Sequence, residues 1–339
     1  MKQPAHKQLV DKFLDWEKVE NRLNTYAHIR DSFTLKQLKK CPPPYYCHYI
    51  AWRLGTYINE NIFEFFNDLL EHAMSLRNWK DSKKESLLNT CEYAEFFSLL
   101  WELQMAKALS NSGAKVEWTE KGPDLKVTYN NKEFYVEYFC YRKSFAVELF
   151  IGELLRKIDG NLRIERSEYV KHGIPNEKDE VECFLHTIFK PFLNEEFLRE
   201  MKEEAERAYP VILYRGLNFS IYLEGNNPDN YVASTNAQGN PEAYLDVAVR
   251  EAIKAKQSQL EEYHPNILAV NYLLSPDFQT GLNRQRDLKK LPITTVEFGK
   301  ADGIFLTACG IDEIPVINNG RAIVKFSSDK NHPFRALLK

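Results

Sequence analysis

The sequence predicts an α/β protein: a mixed central sheet flanked by helices, with a helical region in front of it. Three observations carry this expectation. Apolar residues recur at helical spacing over roughly the first 80 residues. Short β-branched and aromatic runs separated by tight-turn residues follow between Val116 and Tyr141. A long amphipathic stretch, Glu242 to Tyr263, then leads into a nearly continuous apolar run, Ile267–Leu274, the signature of a strand buried on both faces.

The first helical segment rests on Leu9, Phe13, Trp16 and Val19, and a later one on Ile62, Phe65, Phe66, Leu69 and Leu70. Pro42-Pro43-Pro44 separates the two, because proline removes a backbone donor and breaks a helix. Lys80 to Ser86 is polar and reads as a linker, placing the boundary between a 1–85 helical region and an 86–339 α/β domain. The spacing predicts a helix from Glu92 to Asn111, closed by Gly113. Strands are expected at Val116–Thr119, Leu125–Tyr129 and Glu133–Tyr141, then a helix at Val147–Ile158 and more helix within 180–208. Further strands are expected at Val211–Tyr214, Phe219–Leu223, Gly303–Thr307 and Ala322–Phe326. Residues 225–241, rich in Asn, Gly and Pro, read as a loop.

With 339 residues the chain can bury a large core, and 44% hydrophobic and 27% charged residues are ordinary for a globular protein. The net charge of −3 gives no global basic field, so any contact with a polyanion has to come from a local patch. Arg284-Gln285-Arg286-Asp287-Leu288-Lys289-Lys290 and Tyr141-Arg142-Lys143 are two such patches, each of which reads equally as solvated surface. No apolar signal region and no run of about 18 apolar residues appears, and the six cysteines follow no framework spacing. A reducing, cytoplasmic setting without membrane contact is the expectation. Cys41, Cys47 and His48 invite a zinc reading, but no second ligand pair lies nearby; a stiff proline connector with two free thiols accounts for them better. The eight histidines are dispersed, and no Gly-rich phosphate loop is present.

The chemistry concentrates in one hairpin. If Asn130-Asn131 is a two-residue turn, Tyr129 faces Lys132, Val127 faces Phe134 and Leu125 faces Val136. Asp124 then stands opposite Glu137. Directly opposed Cβ atoms lie about 5 Å apart, where like charges repel, so a cation or a proton is expected between them. Glu102 is a third acid: its helical neighbours Leu99, Ala106 and Leu109 place it by the apolar stripe, where a carboxylate needs a partner. Mg²⁺ is typically held by one or two carboxylates together with waters and substrate phosphate oxygens. The alternative is a surface hairpin whose acids face solvent or pair with lysines.

A helix Glu, then Gly122-Pro123-Asp124, then a hairpin leading to Val136-Glu137 resembles the PD-(D/E)XK nuclease superfamily, the restriction-endonuclease-like fold. The resemblance covers roughly residues 92–145, with the helix and strand at 242–274 as further support. It implies that Glu102, Asp124 and Glu137 bind Mg²⁺ or Mn²⁺, that the fold is restriction-endonuclease-like, and that the activity is metal-dependent hydrolysis of phosphodiester bonds in DNA or RNA. Nucleic acid is then the partner, with a homodimer as a candidate assembly.

The chain departs from the family pattern at Phe139, which occupies the position of the usual lysine. Two lysines could replace it. Lys126 lies one pleat from Asp124 on the same face, where it could equally be an ordinary partner for the acids. Lys256 follows Ala252, Val249 and Leu245 at helical spacing on a buried stripe, where it could also be a snorkelling side chain. Without either, the domain would be a catalytically inactive module that binds nucleic acid or a protein partner.

Overall fold

The computed structural model describes residues 3–57, 60–79, 83, 86–87, 89–140, 145–166, 185–207, 211–215, 219–223, 241–271, 298–307, 309–310, 312–317, 322–327 and 332–338. Both basic patches and the 225–240 stretch lie outside them, as does the end of the expected Ile267–Leu274 strand. No described helix is long and apolar enough to cross a membrane.

The N-terminal region is helical, with segments at Ala5–Phe13, Trp16–Thr25, Ala27–Ser32, Leu35–Leu38, Tyr49–Thr56 and Asn61–Ser75. Local chemistry sets their starts. The Asp15 carboxylate accepts from the amides of Glu17 and Lys18, both at 3.0 Å, and Thr34 with Gln37 forms a reciprocal capping box. The proline break lies between the Leu35–Leu38 and Tyr49–Thr56 helices. Cys41, expected as a free thiol, is instead bonded to Cys91: their Cα atoms stand 5.2 Å apart, within disulfide reach. Cys47 is a buried free thiol, and the His48 ring is engaged by the Ile50 amide and the Leu87 carbonyl. That combination removes the zinc reading.

The Tyr93–Asn111 helix is apolar on more than one side: Tyr93, Phe96 and Phe97 are buried near its start and Trp101, Met105, Ala106 and Leu109 further along. It is sandwiched between the N-terminal helices and the sheet, and one continuous core runs from Ala5 through Trp52, Phe96 and Trp101 to Val136 and Phe334. Gly113, at φ +83°, ends it, with Gly113 N–H donating to Ser110 O and Ala114 N–H to Leu109 O.

Among the described residues the main sheet has six strands: β1 (Lys115–Trp118), β2 (Leu125–Tyr129), β3 (Lys132–Cys140), β7 (Asn266–Asn271), β8 (Gly303–Thr307) and β9 (Ile323–Phe326), in that spatial order. β1, β2 and β3 form the expected antiparallel meander, β3, β7 and β8 run parallel, and β9 closes the edge antiparallel. A second sheet of three strands, β4 (Leu162–Arg166), β5 (Val211–Arg215) and β6 (Phe219–Leu223), pairs in the order β4-β6-β5. β4 was not expected: only Leu162 and Ile164 mark it, between Arg163, Glu165 and Arg166.

Each face of the main sheet has its own cover. Trp101 donates its indole N–H to Ala269 O at 3.3 Å, which places the Tyr93–Asn111 helix over Val136, Ile267, Ala269 and Phe305. On the other face the Pro241–Leu260 helix lays Val249, Ala252, Ile253 and Leu260 against Leu268, Val270, Ile304 and Leu306. Phe139 packs into this second cluster. The position where the resemblance calls for a lysine is thus taken up by helix packing.

Candidate functional site

The hairpin register is as the sequence predicts: Leu125 pairs with Val136, Val127 with Phe134 and Tyr129 with Lys132. Asn130 and Asn131 have φ of 50° and 60°, the two left-handed residues of a type I′ turn, whose twist matches that of the flanking strands. Asp124, one residue before β2, therefore enters at the level of Glu137. Its loop is fixed by the Thr119 N–H donating to Asp124 O at 3.2 Å and by the Thr119 hydroxyl donating to Pro123 O. Gly122 lies at φ +87°, and a Cβ there would meet the Tyr263 ring at 2.3 Å, so only glycine lets the chain pass.

Four elements bring five charged groups together. The Lys83 ammonium donates to Glu102 Oε2 and, at 3.1 Å, to Asp124 Oδ1. Two oxygens sharing one donor lie within two hydrogen-bond lengths of each other, about 6 Å. Asp124 Oδ2 accepts from the Tyr138 amide at 3.3 Å. Lys256, from the Pro241–Leu260 helix, donates to Glu137 Oε1 at 2.5 Å. Glu137 is wholly buried and its Oε2 has no hydrogen-bond partner among the described residues. The Tyr138 hydroxyl is also buried, with no partner among the described residues.

The electrostatics follow from burial. Desolvation and then the charge of Asp124 raise Glu102 to about 7, against the opposing pull of Lys83. Desolvation and Asp124 raise Glu137 to about 8, with Lys256 opposing. Burial lowers Lys83, but Glu102 and Asp124 more than offset it and hold the ammonium above its ordinary value. Burial, with Asp124, Glu102 and Glu137 adding to it, pushes the Tyr138 phenol well up.

Of the five residues singled out in the sequence, Glu102 and Asp124 share Lys83, Glu137 pairs with Lys256, and the charges of the two pairs act on one another; Lys126 takes no part. Lys126 pairs with Glu133 at 2.8 Å, its diagonal neighbour on the hairpin, and points toward the turn. The place reserved for it beside Asp124 is filled by Lys83, from the polar stretch whose composition marks a linker. The charges that offset the three acids are therefore two ammonium groups, and among the described residues no three His, Cys, Asp or Glu side chains form a ready-made cation cluster.

The donor set still suits a hard dication: carboxylate oxygens only, one of them buried and unpartnered at Glu137, with more negative than positive side chains when all are ionised. Beside Asp124 and Lys83 opens a cleft of about 220 Å³, walled also by Asn78, Trp118, Thr119 and Gly122. Comparisons with protein-family models, with curated proteins and with solved structures return no match.

Proposed function

We propose that the chain is a metal-dependent nuclease of the PD-(D/E)XK type, hydrolysing phosphodiester bonds in DNA or RNA. The observation that carries this reading is the pairing of Glu102 with Asp124 through Lys83, beside a buried Glu137 bonded to the Lys256 ammonium, with the charges of the three acids acting on one another. The helix, three-stranded meander, helix and parallel strand that hold these residues suit a restriction-endonuclease-like core. Phe139 removes the usual lysine from the strand, and Lys256 returns an ammonium group to the same carboxylate from the facing helix.

Asp124, Glu137 and Glu102 would hold Mg²⁺ or Mn²⁺, which supplies a more acidic water and shields charge on the phosphate. The residues do the rest. Asp124, tied by the Tyr138 amide, keeps its carboxylate aimed at the cleft. Lys256, fixed by its bond to Glu137, orients a water for in-line attack and stabilises charge developing on the phosphate oxygens. Phe139 and the apolar cluster behind it keep bulk water from the inner side of Glu137.

A second reading, a catalytically inactive module binding nucleic acid or a protein, is favoured by one observation: both ammonium groups already engage the acids. Cleavage of DNA and RNA with Mg²⁺ or Mn²⁺ by the wild type, beside Asp124→Ala, separates the two. Cleavage lost in Asp124→Ala supports the nuclease. Absence of both cleavage and metal binding in the wild type supports the module.

A further inference from the structure

Lys83 belongs to none of the elements that hold the three acids. It comes from the segment between the N-terminal helices and the Tyr93–Asn111 helix, yet its ammonium bridges Glu102 and Asp124. The approach to that segment is hung on β1: Trp118 N–H donates to Arg77 O at 3.0 Å, Asn78 Nδ2 donates to Trp118 O at 3.1 Å, and the Trp118 indole donates to Ala73 O at 3.2 Å. The Lys83 ammonium also stands over the Trp118 ring, 5.4 Å from its centroid. The cleft beside it, about 220 Å³, is large enough for a lysine head group, and Lys83 is 26% exposed toward it.

An ammonium that shares two carboxylates occupies the volume a small cation would need. We propose that Lys83 is a tethered counter-ion: it fills the cation position of the metal-free site and is displaced into the adjoining cleft when a divalent cation binds. This rests on the metal-dependent reading of the same acids. Charge makes the exchange favourable. With all three acids ionised, two ammonium groups leave the cluster one negative charge in excess; a dication in place of Lys83 brings it to neutrality. The flexible four-carbon stem of lysine lets the head group leave while the backbone stays in place. The N-terminal region thereby acquires a hand in the site: whatever fixes residues around Lys83 sets how readily the cation enters.

The test is calorimetric Mn²⁺ binding at pH 8 to the full chain, with Mn²⁺ electron paramagnetic resonance as a second readout. Lys83→Met keeps the stem and removes the charge; Lys83→Gln repeats the test with a polar end, and melting curves establish that each variant is folded. Asp124→Asn, expected to abolish binding, places the ion at this site. Both Lys83 variants are expected to bind Mn²⁺ roughly ten- to hundredfold more tightly than the wild type, the ratio set by one or two charge-assisted hydrogen bonds no longer broken on entry. Binding by the variants alone overturns the exchange, because Lys83 then blocks the site and is not displaced. Wild-type binding that the variants match or fall below overturns the counter-ion role and leaves the nuclease reading standing. No binding by any of them overturns both.

Discussion

Replacing Glu137 by glutamine should make the protein more stable, and more so at higher pH. Glu137 is completely buried, one of its oxygens has no partner among the described residues, and burial with the charge of Asp124 raises it from 4.5 to about 8. A carboxyl raised in the folded state binds its proton more tightly there than in the unfolded chain. Between pH 4.5 and 8 the folded protein therefore holds more protons, and stability falls as pH rises through that window. At 1.36 kcal/mol per pKa unit the ceiling of this loss is roughly 5 kcal/mol above pH 8, with the attraction of Lys256 already included. A glutamine side chain at this position has no such titration, and its amide oxygen can still accept from Lys256. Urea unfolding in the presence of a chelator should show the two proteins equally stable near pH 4.5. At pH 8.5 the glutamine variant should be ahead by roughly 2–4 kcal/mol. A difference that does not grow with pH, or one that favours the wild type at pH 8.5, would refute the claim that this carboxylate is held against its solvation preference.

Other outcomes follow from the fold. The Cys41–Cys91 link spans 50 residues, so reduction or the Cys41→Ser/Cys91→Ser pair should cost about 4 kcal/mol by chain entropy; urea midpoints unchanged by reductant would contradict it. His6 and His48 are buried and lowered to about 4, by desolvation with His186 adding to it for His6 and against the Leu87 carbonyl for His48. Each is neutral when folded, so the stability it contributes is present above pH 6.5 and is lost as pH falls toward 4, by roughly 3 kcal/mol per histidine. His6→Phe should flatten that acid limb in pH-dependent unfolding, and an unaltered limb would count against the assignment. Gly122→Ala should lower stability by about 1–3 kcal/mol through its φ of +87° and the Tyr263 ring, with a matching fall in melting temperature.

The parts of the site that were legible in the sequence are those governed by short-range counting. The Asn130-Asn131 turn fixes a register, and the register alone places Asp124 against Glu137. Helical spacing put Glu102 and Lys256 at buried positions, and both found charged partners. Lys126 shows where counting stops. The strand period gives its face correctly, but along that face Glu133 competes with the site and wins. Lys83 lies in a polar stretch without periodicity, and its contacts cross 19 and 41 residues, so only the tertiary fold reveals them. The same holds for Cys41 and Cys91, because six cysteines without regular spacing do not name their pairs. The strand Leu162–Arg166 escaped because two apolar residues are too few to establish a period.

The hairpin turn bears on how the chain can be lengthened. Five strand pairs separate the turn from the two facing carboxylates, the same number on each arm. One residue added to either arm would reverse the side of the sheet on which its acid emerges. Residues added between Asn130 and Asn131 extend the tip and leave both arms in step, and both asparagines lie at the protein surface. The tip of β2–β3 is thus the place to graft a reporter peptide or an affinity tag while keeping the carboxylates opposed.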